Sequence, residues 1–333
     1  MTGAVLAGDI GRTTCRLARY DRGVRVATAH GACGVSLSDR DGVAGIHRAI
    51  LATLRQVAPG PPVSAAVLGV TGAAQHPGAA HTLASALEPD VGVPVTVVSD
   101  VVAAHAGAFG GAPGVLTIAG TGTVALGISA QGIATLVDGW GPLLGDAGSA
   151  VDVGRAGLGA ALRAHDGRGG GSPALASAAA ERFGDLDALP GRVQGDASPF
   201  RVVASFATAV AAAARAGDPV AMDILAGAVE HLTDTTLTAV HRTRADVAVA
   251  LPVAFAGGLF ALDDLVAAPV RSALAGVDGI EVRAAAGDAL DGAHALGTGA
   301  AGLHHRVTWA RDAPSTATPE QSAQRRPTVR EET

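Results

Sequence analysis

Three short strands joined by tight turns occur twice in this sequence, and this repetition limits the possible folds more than any other feature. The first set is predicted at about 3–9, 14–20 and 23–30, and the second lies within GVLTIAGTGTVALGISAQGIATLVDG, which starts at residue 114. In both halves, segments with helical or buried-strand periodicity follow. The halves share no useful residue identity, so the repeat is one of architecture. It predicts an α/β protein with two similar domains and a cleft between them.

The repeat divides the chain into two predicted domains. The N-terminal domain covers residues 1–105 and is completed by a helix within about 289–305, and the C-terminal domain covers residues 106–288. The second domain contains a largely helical insertion at 172–245. Residues 306–333 are charged, rich in Pro, Ser, Thr and Gln, and without hydrophobic periodicity, which predicts a disordered tail.

Apolar residues at helical spacing predict the helices between these strands. One helix starts near Asp41, and others are expected at about 79–87, 147–164, 261–275 and 289–303. Further buried strands are predicted in PPVSAAVLGVTG, in VPVTVVSD, which ends on Asp100 and precedes a helix, in VAVALPVAFAGGLF and in GIEVRAA.

Composition excludes several classes of function. All 24 basic residues are arginine, so the lysine-dependent Walker A mode of nucleotide binding is excluded. The net charge of −6 and the lack of a basic stripe argue against nucleic acid as a partner. Glycines interrupt the uncharged stretch 101–137, which therefore predicts a buried helix and strands and no membrane span. The chain starts directly on a strand without signal-peptide features, which predicts a cytoplasmic protein.

The turn after the first strand carries a carboxylate and hydroxyls in LAGDIGRTTCRLARYD, and the matching turn of the second half lies in TIAGTGTVALG. A hairpin alone would need only turn-forming residues such as Asp and Gly. Glycines allow a close approach to an anion, and consecutive N–H groups with nearby hydroxyls form a phosphate cradle. The paired turns therefore predict two facing phosphate-binding loops, formed by Gly11, Thr13, Thr14, Gly120, Thr121, Gly122 and Thr123.

Two aspartates at strand ends are candidates for catalytic chemistry. Asp9 could hold Mg²⁺ through water and so neutralise triphosphate charge, or it could cap its own hairpin as an Asx-turn. Asp100 ends a buried strand, where α/β folds place ligand-facing groups, and could accept a proton from an attacking hydroxyl. It could also be the N-cap of the next helix, a role open to Ser99 as well.

Two glycine-rich loops are candidates for binding the organic parts of the ligands. The segment DGWGPLLGDAGSAVDVG places Trp140 and Gly141 close to Asp146, and an aromatic ring beside a carboxylate is a frequent way to hold a sugar. The structural alternative for Asp146 is a helix N-cap. In AFAGGLF, Gly257 and Gly258 follow a strand and open a helix, so adenosine could lie flat over bare backbone.

These motifs resemble, in order and over roughly residues 3–303, those of the actin/hexokinase-like sugar kinases. The sequence is most similar to the N-acetylglucosamine kinase branch of the BadF/BadG/BcrA/BcrD ATPase family. The most specific match is DGWGPLLGDAGSA, which is similar to the family's Gly-Trp-Gly…Gly-Asp-Glu-Gly-Ser motif. The resemblance implies two actin/ribonuclease-H-like domains, each a mixed sheet flanked by helices. It also implies that Asp100 is the catalytic base, that Asp146 binds sugar hydroxyls, and that ATP and Mg²⁺ take part.

The sequence departs from the family pattern at several positions. Arg12 replaces a glycine of the first loop and either reaches toward phosphate or is solvated, and Ala147 replaces a glutamate. The chain has no asparagine, so the family's sugar-contacting asparagine is missing from GACGVSLSDRDG, residues 31–42. Candidate sugar contacts on that side are Ser36, or Ser38 in its place, and Thr71.

The sequence thus predicts an ATP-dependent kinase of an amino sugar, with the 6-hydroxyl of N-acetylglucosamine as the expected acceptor. Glucosamine, N-acetylmuramic acid and glucose are the other candidate sugars. One alternative is a partner-coupled ATPase, whose relatives hold an iron–sulfur cluster on cysteines; Cys15 and Cys33 do not supply such a site. The other is a catalytically weak sugar or nucleotide sensor. The resemblance also implies a homodimer.

Overall fold

The computed structural model of the chain describes residues 3–244, 250–306 and 308–309. These residues form two mixed sheets with helices on their faces, as the sequence predicts. The predicted disordered tail lies almost entirely outside the described residues.

The first sheet consists of β1 (Ala4–Ile10), β2 (Thr14–Asp21), β3 (Val24–Ala32), β4 (Val63–Val70) and β5 (Val95–Ser99). Its order is β3-β2-β1-β4-β5. The strands β1, β2 and β3 are antiparallel neighbours, whereas β4 and β5 run parallel to β1. Nearly every residue of β1 is buried, because this central strand is covered by helices on both faces.

The second sheet consists of β6 (Gly114–Ala119), β7 (Thr123–Ile128), β8 (Ile133–Asp138), β9 (Leu251–Ala256), β10 (Ile280–Val282) and the two-residue β11 (Thr308–Trp309). Its order is β10-β9-β6-β7-β8-β11. Apart from β11, the order and the strand directions repeat those of the first sheet, with β6 in the place of β1. The predicted repetition of architecture is therefore confirmed.

The helices cover the faces of these sheets and fill the connection between β8 and β9. They are α1 (Gly42–Leu54), α2 (Pro77–Val91), α3 (Asp100–Phe109), α4 (Ala150–His165), α5 (Pro173–Phe183), α6 (Leu189–Gly195), α7 (Pro199–Ser205), α8 (Ala207–Arg215), α9 (Pro219–Thr243), α10 (Ala268–Leu274) and α11 (Ala289–Thr298). The predicted boundary between residues 105 and 106 falls inside α3.

Each sheet has its own apolar core. The helices α1 and α2 pack on one face of the first sheet around Leu6, Ile46 and Leu83, while α3 and α11 cover the other face. Where α3 crosses α11, a Cβ on Gly107 or on Gly292 would overlap a backbone carbonyl of the other helix or of its N-cap. Only glycine allows this close approach, which attaches the late helix α11 to the first sheet.

Two predicted helices differ from the structure. The helix expected at 261–275 is a 3₁₀ turn at Gly258–Ala261, a π-helical segment at Asp263–Ala267 and then the short α10. The backbone leaves helical geometry at Leu262, where ψ is +72°, and this separates the 3₁₀ turn from the helical segment that follows. The last predicted helix ends at Thr298 and not at residue 303, because Gly299 adopts a left-handed conformation with φ of +80°.

No single described helix combines the length and apolarity needed to cross a membrane. One helix pair, Pro199–Arg215 with Pro219–Thr243, meets these criteria only when taken together, and it is bent by 118°.

Candidate active site

A cavity of about 1420 Å³ lies between the two sheets, and all sixteen residues predicted from the sequence to form the site line it. They come from the turns after β1, β4, β6 and β9, the start of α3 and the loops after β3 and β8. The structure therefore brings together residues that span almost 250 positions of the chain, from Asp9 to Gly258.

The two glycine-containing turns face each other across this cavity. The Oγ1 atoms of Thr13 and Thr121 are 3.3 Å apart, within hydrogen-bonding distance. A Cβ on Gly122 would overlap the carboxylate of Asp146, so only glycine fits at this point. Thr123 is 2% exposed, and its hydroxyl has no hydrogen-bond partner within the part of the chain that the structure describes. The turns thus present backbone and hydroxyl groups from both domains to one shared space, the arrangement that a phosphate chain requires.

Asp9 lies at the end of β1 and is held from the neighbouring strand. In the β1–β2 pair it lies directly opposite Arg16, whose Nε donates to Asp9 Oδ2 at 2.9 Å. Arg16 Nη1 also donates to Asp288 Oδ2 at 3.2 Å. The described residues contain no cluster of three or more His, Cys, Asp or Glu that could hold a metal ion. Asp9 could therefore supply one carboxylate to a magnesium ion whose other ligands are water and phosphate oxygens.

Asp100 is the first residue of α3, and Ser99 occupies the N-cap position without a side-chain capping bond. The backbone N–H of Val101 donates to Asp100 Oδ1 at 2.9 Å, and the Thr71 hydroxyl also hydrogen-bonds to this carboxylate. Burial, and then the negative charge of Asp9, raise the pKa of Asp100 to about 7. A carboxylate with this pKa is ready to accept a proton near neutral pH.

Asp146 is buried in the loop between β8 and α4, with a φ of +60°. It is not the N-cap of α4, because Ser149 takes that role and accepts the N–H of Asp152 at 3.2 Å. Burial is the main cause that raises the pKa of Asp146 to about 6, and the charge of Asp138 adds to it. The N–H of Gly141 donates to Asp146 Oδ1 at 3.2 Å and favours the ionised form.

Asp138, the last residue of β8, was missed by the sequence reasoning. Its Oδ1 accepts the N–H of Asp146 at 2.8 Å, and its Oδ2 accepts the N–H of Ala147 at 3.0 Å. Its own φ is +60°, so two aspartates in left-handed conformation hold this loop. The signal was available, since Asp138 ends its strand just as Asp9 and Asp100 lie at the ends of theirs.

The serines proposed as sugar contacts have different environments. Ser36 is 3% exposed, and its hydroxyl donates to Ser38 Oγ at 3.1 Å while accepting the Ser38 N–H. Ser38 is exposed at the cavity wall. The Ser36 hydroxyl already closes its own turn. Ser38 is therefore better placed than Ser36 to contact a sugar directly.

Arg12 is not simply solvated, because its guanidinium pairs with Asp39, Nη1 lying 3.2 Å from Oδ2. Trp140 lines the cavity but is 77% exposed at its rim, so its ring is available for stacking and is not enclosed.

The Gly257–Gly258 pair lies where β9 ends, next to the turn that follows β6. Gly257 has a φ of +99°, and a Cβ there would overlap the backbone carbonyl of Ala119. At Gly258 a Cβ would meet nothing within 4 Å. The first glycine is thus required by the fold, while the second leaves open space in the cavity for a flat ring.

The sequence profile of the BadF/BadG/BcrA/BcrD ATPase family matches residues 9–297, which is most of the chain. The chain belongs to this family.

Within the BadF/BadG/BcrA/BcrD ATPase family, the similarity to curated relatives is confined to short segments. Over 75 residues the chain is 37% identical to an N-acetylmuramic acid/N-acetylglucosamine kinase of Clostridium acetobutylicum, a match that covers 22% of this chain and 24% of that relative. Over 66 residues it is 42% identical to an N-acetyl-D-glucosamine kinase of Dictyostelium discoideum, covering 20% of this chain and 21% of the relative. The matched segments thus span less than a quarter of either relative.

Solved structures match over nearly their whole length. A candidate N-acetylglucosamine kinase from Chromobacterium violaceum is 26% identical with a TM-score of 0.69, over 88% of this chain and 98% of that one. A ROK family glucokinase from Streptomyces griseus, solved with glucose and AMPPNP, is 20% identical with a TM-score of 0.56, over 88% and 99% of the two chains. This family member therefore has the fold of the actin-like sugar kinases.

Proposed function

We propose that this protein is an ATP-dependent kinase that phosphorylates an amino sugar, with the 6-hydroxyl of N-acetylglucosamine as the expected acceptor. The observation that carries the proposal is the single cavity in which two facing threonine-glycine turns, Asp100 and Asp146 meet. The names of the curated relatives and the fold of the actin-like sugar kinases support the same reaction class. The predicted cytoplasmic location and homodimer stay part of this proposal.

In the proposed reaction, Asp146 accepts hydrogen bonds from sugar hydroxyls and so orients the sugar. Asp100 accepts the proton of the attacking hydroxyl as the new O–P bond forms and the bond between the γ-phosphorus and the bridging oxygen breaks, which releases ADP. Because phosphoryl transfer passes through a loose transition state, positioning contributes more than the strength of the base. The turns around Thr13 and Thr121 hold the phosphates from both sides.

Magnesium, bound with ATP, would neutralise charge on the triphosphate. Asp9 is the residue placed to hold it, since it lies at the mouth of the first turn beside Asp100. Arg16 fixes the orientation of the Asp9 carboxylate by donating to its Oδ2.

The test is ADP release from Mg-ATP with N-acetylglucosamine, glucosamine, N-acetylmuramic acid and glucose, with a control that contains no sugar. Two variants accompany the wild type. Asp100→Asn keeps the shape of the side chain but removes the base. Asp146→Asn replaces one carboxylate oxygen, a hydrogen-bond acceptor for sugar hydroxyls, with an NH₂ donor. We expect release that depends on one sugar, disappears in Asp100→Asn and requires more sugar in Asp146→Asn. The position of the phosphate on the product is read by NMR.

Three outcomes would contradict the proposal. Release at the same rate without sugar would indicate a partner-coupled ATPase. ATP binding without turnover on any sugar would indicate a sensor. Phosphorylation of glucose alone would support a sugar kinase but overturn the assignment of an amino sugar as the substrate.

A further inference from the structure

Arg12 is the one charged residue within the two facing turns, residues 11–14 and 120–123, and it has no role in the proposed reaction as given by Asp100, Asp146 and the two turns. It follows Gly11 and precedes Thr13, whose hydroxyl meets Thr121 across the cavity. Its side chain lines that cavity and is about one-third exposed (34%). Since the chain has no lysine, any cation offered to a phosphate from these turns is this guanidinium.

The partner of Arg12 holds it weakly. The three contacts between its Nη atoms and the Asp39 carboxylate are 3.2 to 3.5 Å long, and the Asp39 side chain is also 34% exposed. Because both side chains are partly exposed and the contacts are long, the pair contributes little stability, and little is lost when it opens. Asp39 Oδ2 also accepts the Ser36 N–H at 2.8 Å, a bond that does not depend on Arg12. The loop around Ser36 therefore keeps its anchor when Arg12 moves away.

Arg16, the other arginine beside the first turn, is differently placed. Its Nε donates to Asp9 and its Nη1 donates to Asp288, so it bridges two carboxylates on two elements. Arg12 instead pairs with one carboxylate, that of Asp39, through long contacts. Its charge also acts on Asp146, which lies on the sugar side of the cavity. The guanidinium thus lies near both the phosphate turns and the sugar-binding carboxylate, the region that a transferred phosphoryl group must cross.

We propose that Arg12 is a further catalytic residue: it leaves its pair with Asp39 and moves to the γ-phosphoryl group when ATP and sugar are both bound. This inference rests on the proposed kinase function. In the transfer step, Asp100 takes the hydroxyl proton, the sugar oxygen bonds to phosphorus, and the bond to the bridging oxygen of ADP breaks. The N–H groups of Arg12 donate to the oxygens of the phosphoryl group as negative charge spreads over them.

The variants Arg12→Gly, Arg12→Lys and Asp39→Asn test this role, with Arg22→Gly as the control. Arg22 is 87% exposed and lies in the turn between β2 and β3. We expect Arg12→Gly to lower kcat by about 100-fold or more, because arginines on transferred phosphoryl groups contribute about 10³ to 10⁵. The KM for sugar and the Kd for Mg-ATP, measured by calorimetry without sugar, should change less than about threefold. Arg12→Lys should recover only part of the rate, since lysine lacks the planar fork.

Chemical rescue separates a catalytic role from a structural one. Guanidinium ion at a non-denaturing concentration should raise kcat of Arg12→Gly at least about tenfold and leave the wild type, Arg22→Gly and Asp100→Asn unchanged. Asp39→Asn keeps an oxygen for the Ser36 N–H and releases Arg12, so its kcat should stay within about threefold of the wild type.

The proposal is overturned if the wild type is active and Arg12→Gly has the same kcat as the wild type. It is also overturned if Asp39→Asn loses as much activity as Arg12→Gly, because the ion pair would then have a structural role. It is also overturned if Arg12→Gly raises KM only for N-acetylmuramic acid, because Arg12 would then bind the carboxylate of that sugar. A wild type that phosphorylates no sugar overturns the proposed function, and this inference with it.

Discussion

The replacement Asp100→Asn is expected to inactivate the protein and to stabilise it. The ionised carboxylate is partly buried at the start of α3, where desolvation and the negative charge of Asp9 oppose its ionisation, so its charge opposes folding. Asparagine has nearly the same shape and keeps an oxygen that can accept the Val101 N–H, which donates to Asp100 Oδ1 at 2.9 Å in the wild type. The variant thus removes the unfavourable charge and little else.

The structure sets both the size and the pH dependence of this gain. The pKa of Asp100 rises from the ordinary 3.8 to about 7. At about 1.4 kcal/mol per pH unit, this shift gives a ceiling of about 4 kcal/mol. Water that enters the cavity lowers the cost of the charge, so we expect about 1–3 kcal/mol. Because the folded state binds the proton more tightly than the unfolded state, the wild type loses stability as pH rises from about 4 to 7.

Urea unfolding of both proteins at several pH values between about 5 and 8 measures this difference. The advantage of Asp100→Asn should grow with pH up to about 7 and then stay constant. As a control, Asp264→Asn removes an exposed carboxylate that pairs with Arg215, and it should bring no such gain. If Asp100→Asn were no more stable than the wild type at pH 8, or if its advantage did not change with pH, Asp100 would not be the destabilised carboxylate described above.

Four further outcomes are expected. The kcat/KM for sugar should rise with pH to about 7 and then level off in a pH–rate profile, because Asp100 must be ionised to accept a proton. Asp138→Asn should raise the sugar KM about tenfold and leave ATP affinity unchanged in calorimetry, since Asp138 holds the loop of Asp146. Gly257→Ala should lower the free energy of unfolding by about 2–4 kcal/mol, from strain at φ +99° and overlap with a carbonyl. Removal of magnesium by EDTA should abolish turnover, and Asp9→Asn should require about tenfold more magnesium to restore it.

The fold could be predicted because its two halves repeat one pattern of strand directions, and the period-two alternation and tight turns that encode it are local. The helix expected at 261–275 could not be predicted correctly from apolar spacing alone, since the backbone break at Leu262, where ψ is +72°, leaves that spacing unchanged. The end of α11 was placed too late for a similar reason: Gly299 can turn into a left-handed conformation that apolar spacing does not reveal.

For the site, the residues within the glycine turns could be predicted because their chemistry lies within short segments. Their partners could not, since these lie far away in the chain. Arg16 and Asp288 are 272 positions apart, and nothing local in the sequence joins them. Ser36 illustrates a second limit: the sequence places it in a loop that lines the cavity, but only coordinates show that its hydroxyl is used within its own turn.

The link between Arg16 and Asp288 explains why a helix from the end of the family match is needed for the site at its beginning. Asp288 is the N-cap of α11 and forms a capping box with Asp291, so the acceptor of Arg16 is fixed by helix formation itself. The same helix packs against α3, whose first residue is Asp100. The carboxylate proposed for magnesium and the carboxylate proposed as the base are therefore positioned by one pair of helices. A change that loosens α11 would disturb Asp9, through Arg16, and Asp100, through α3, together.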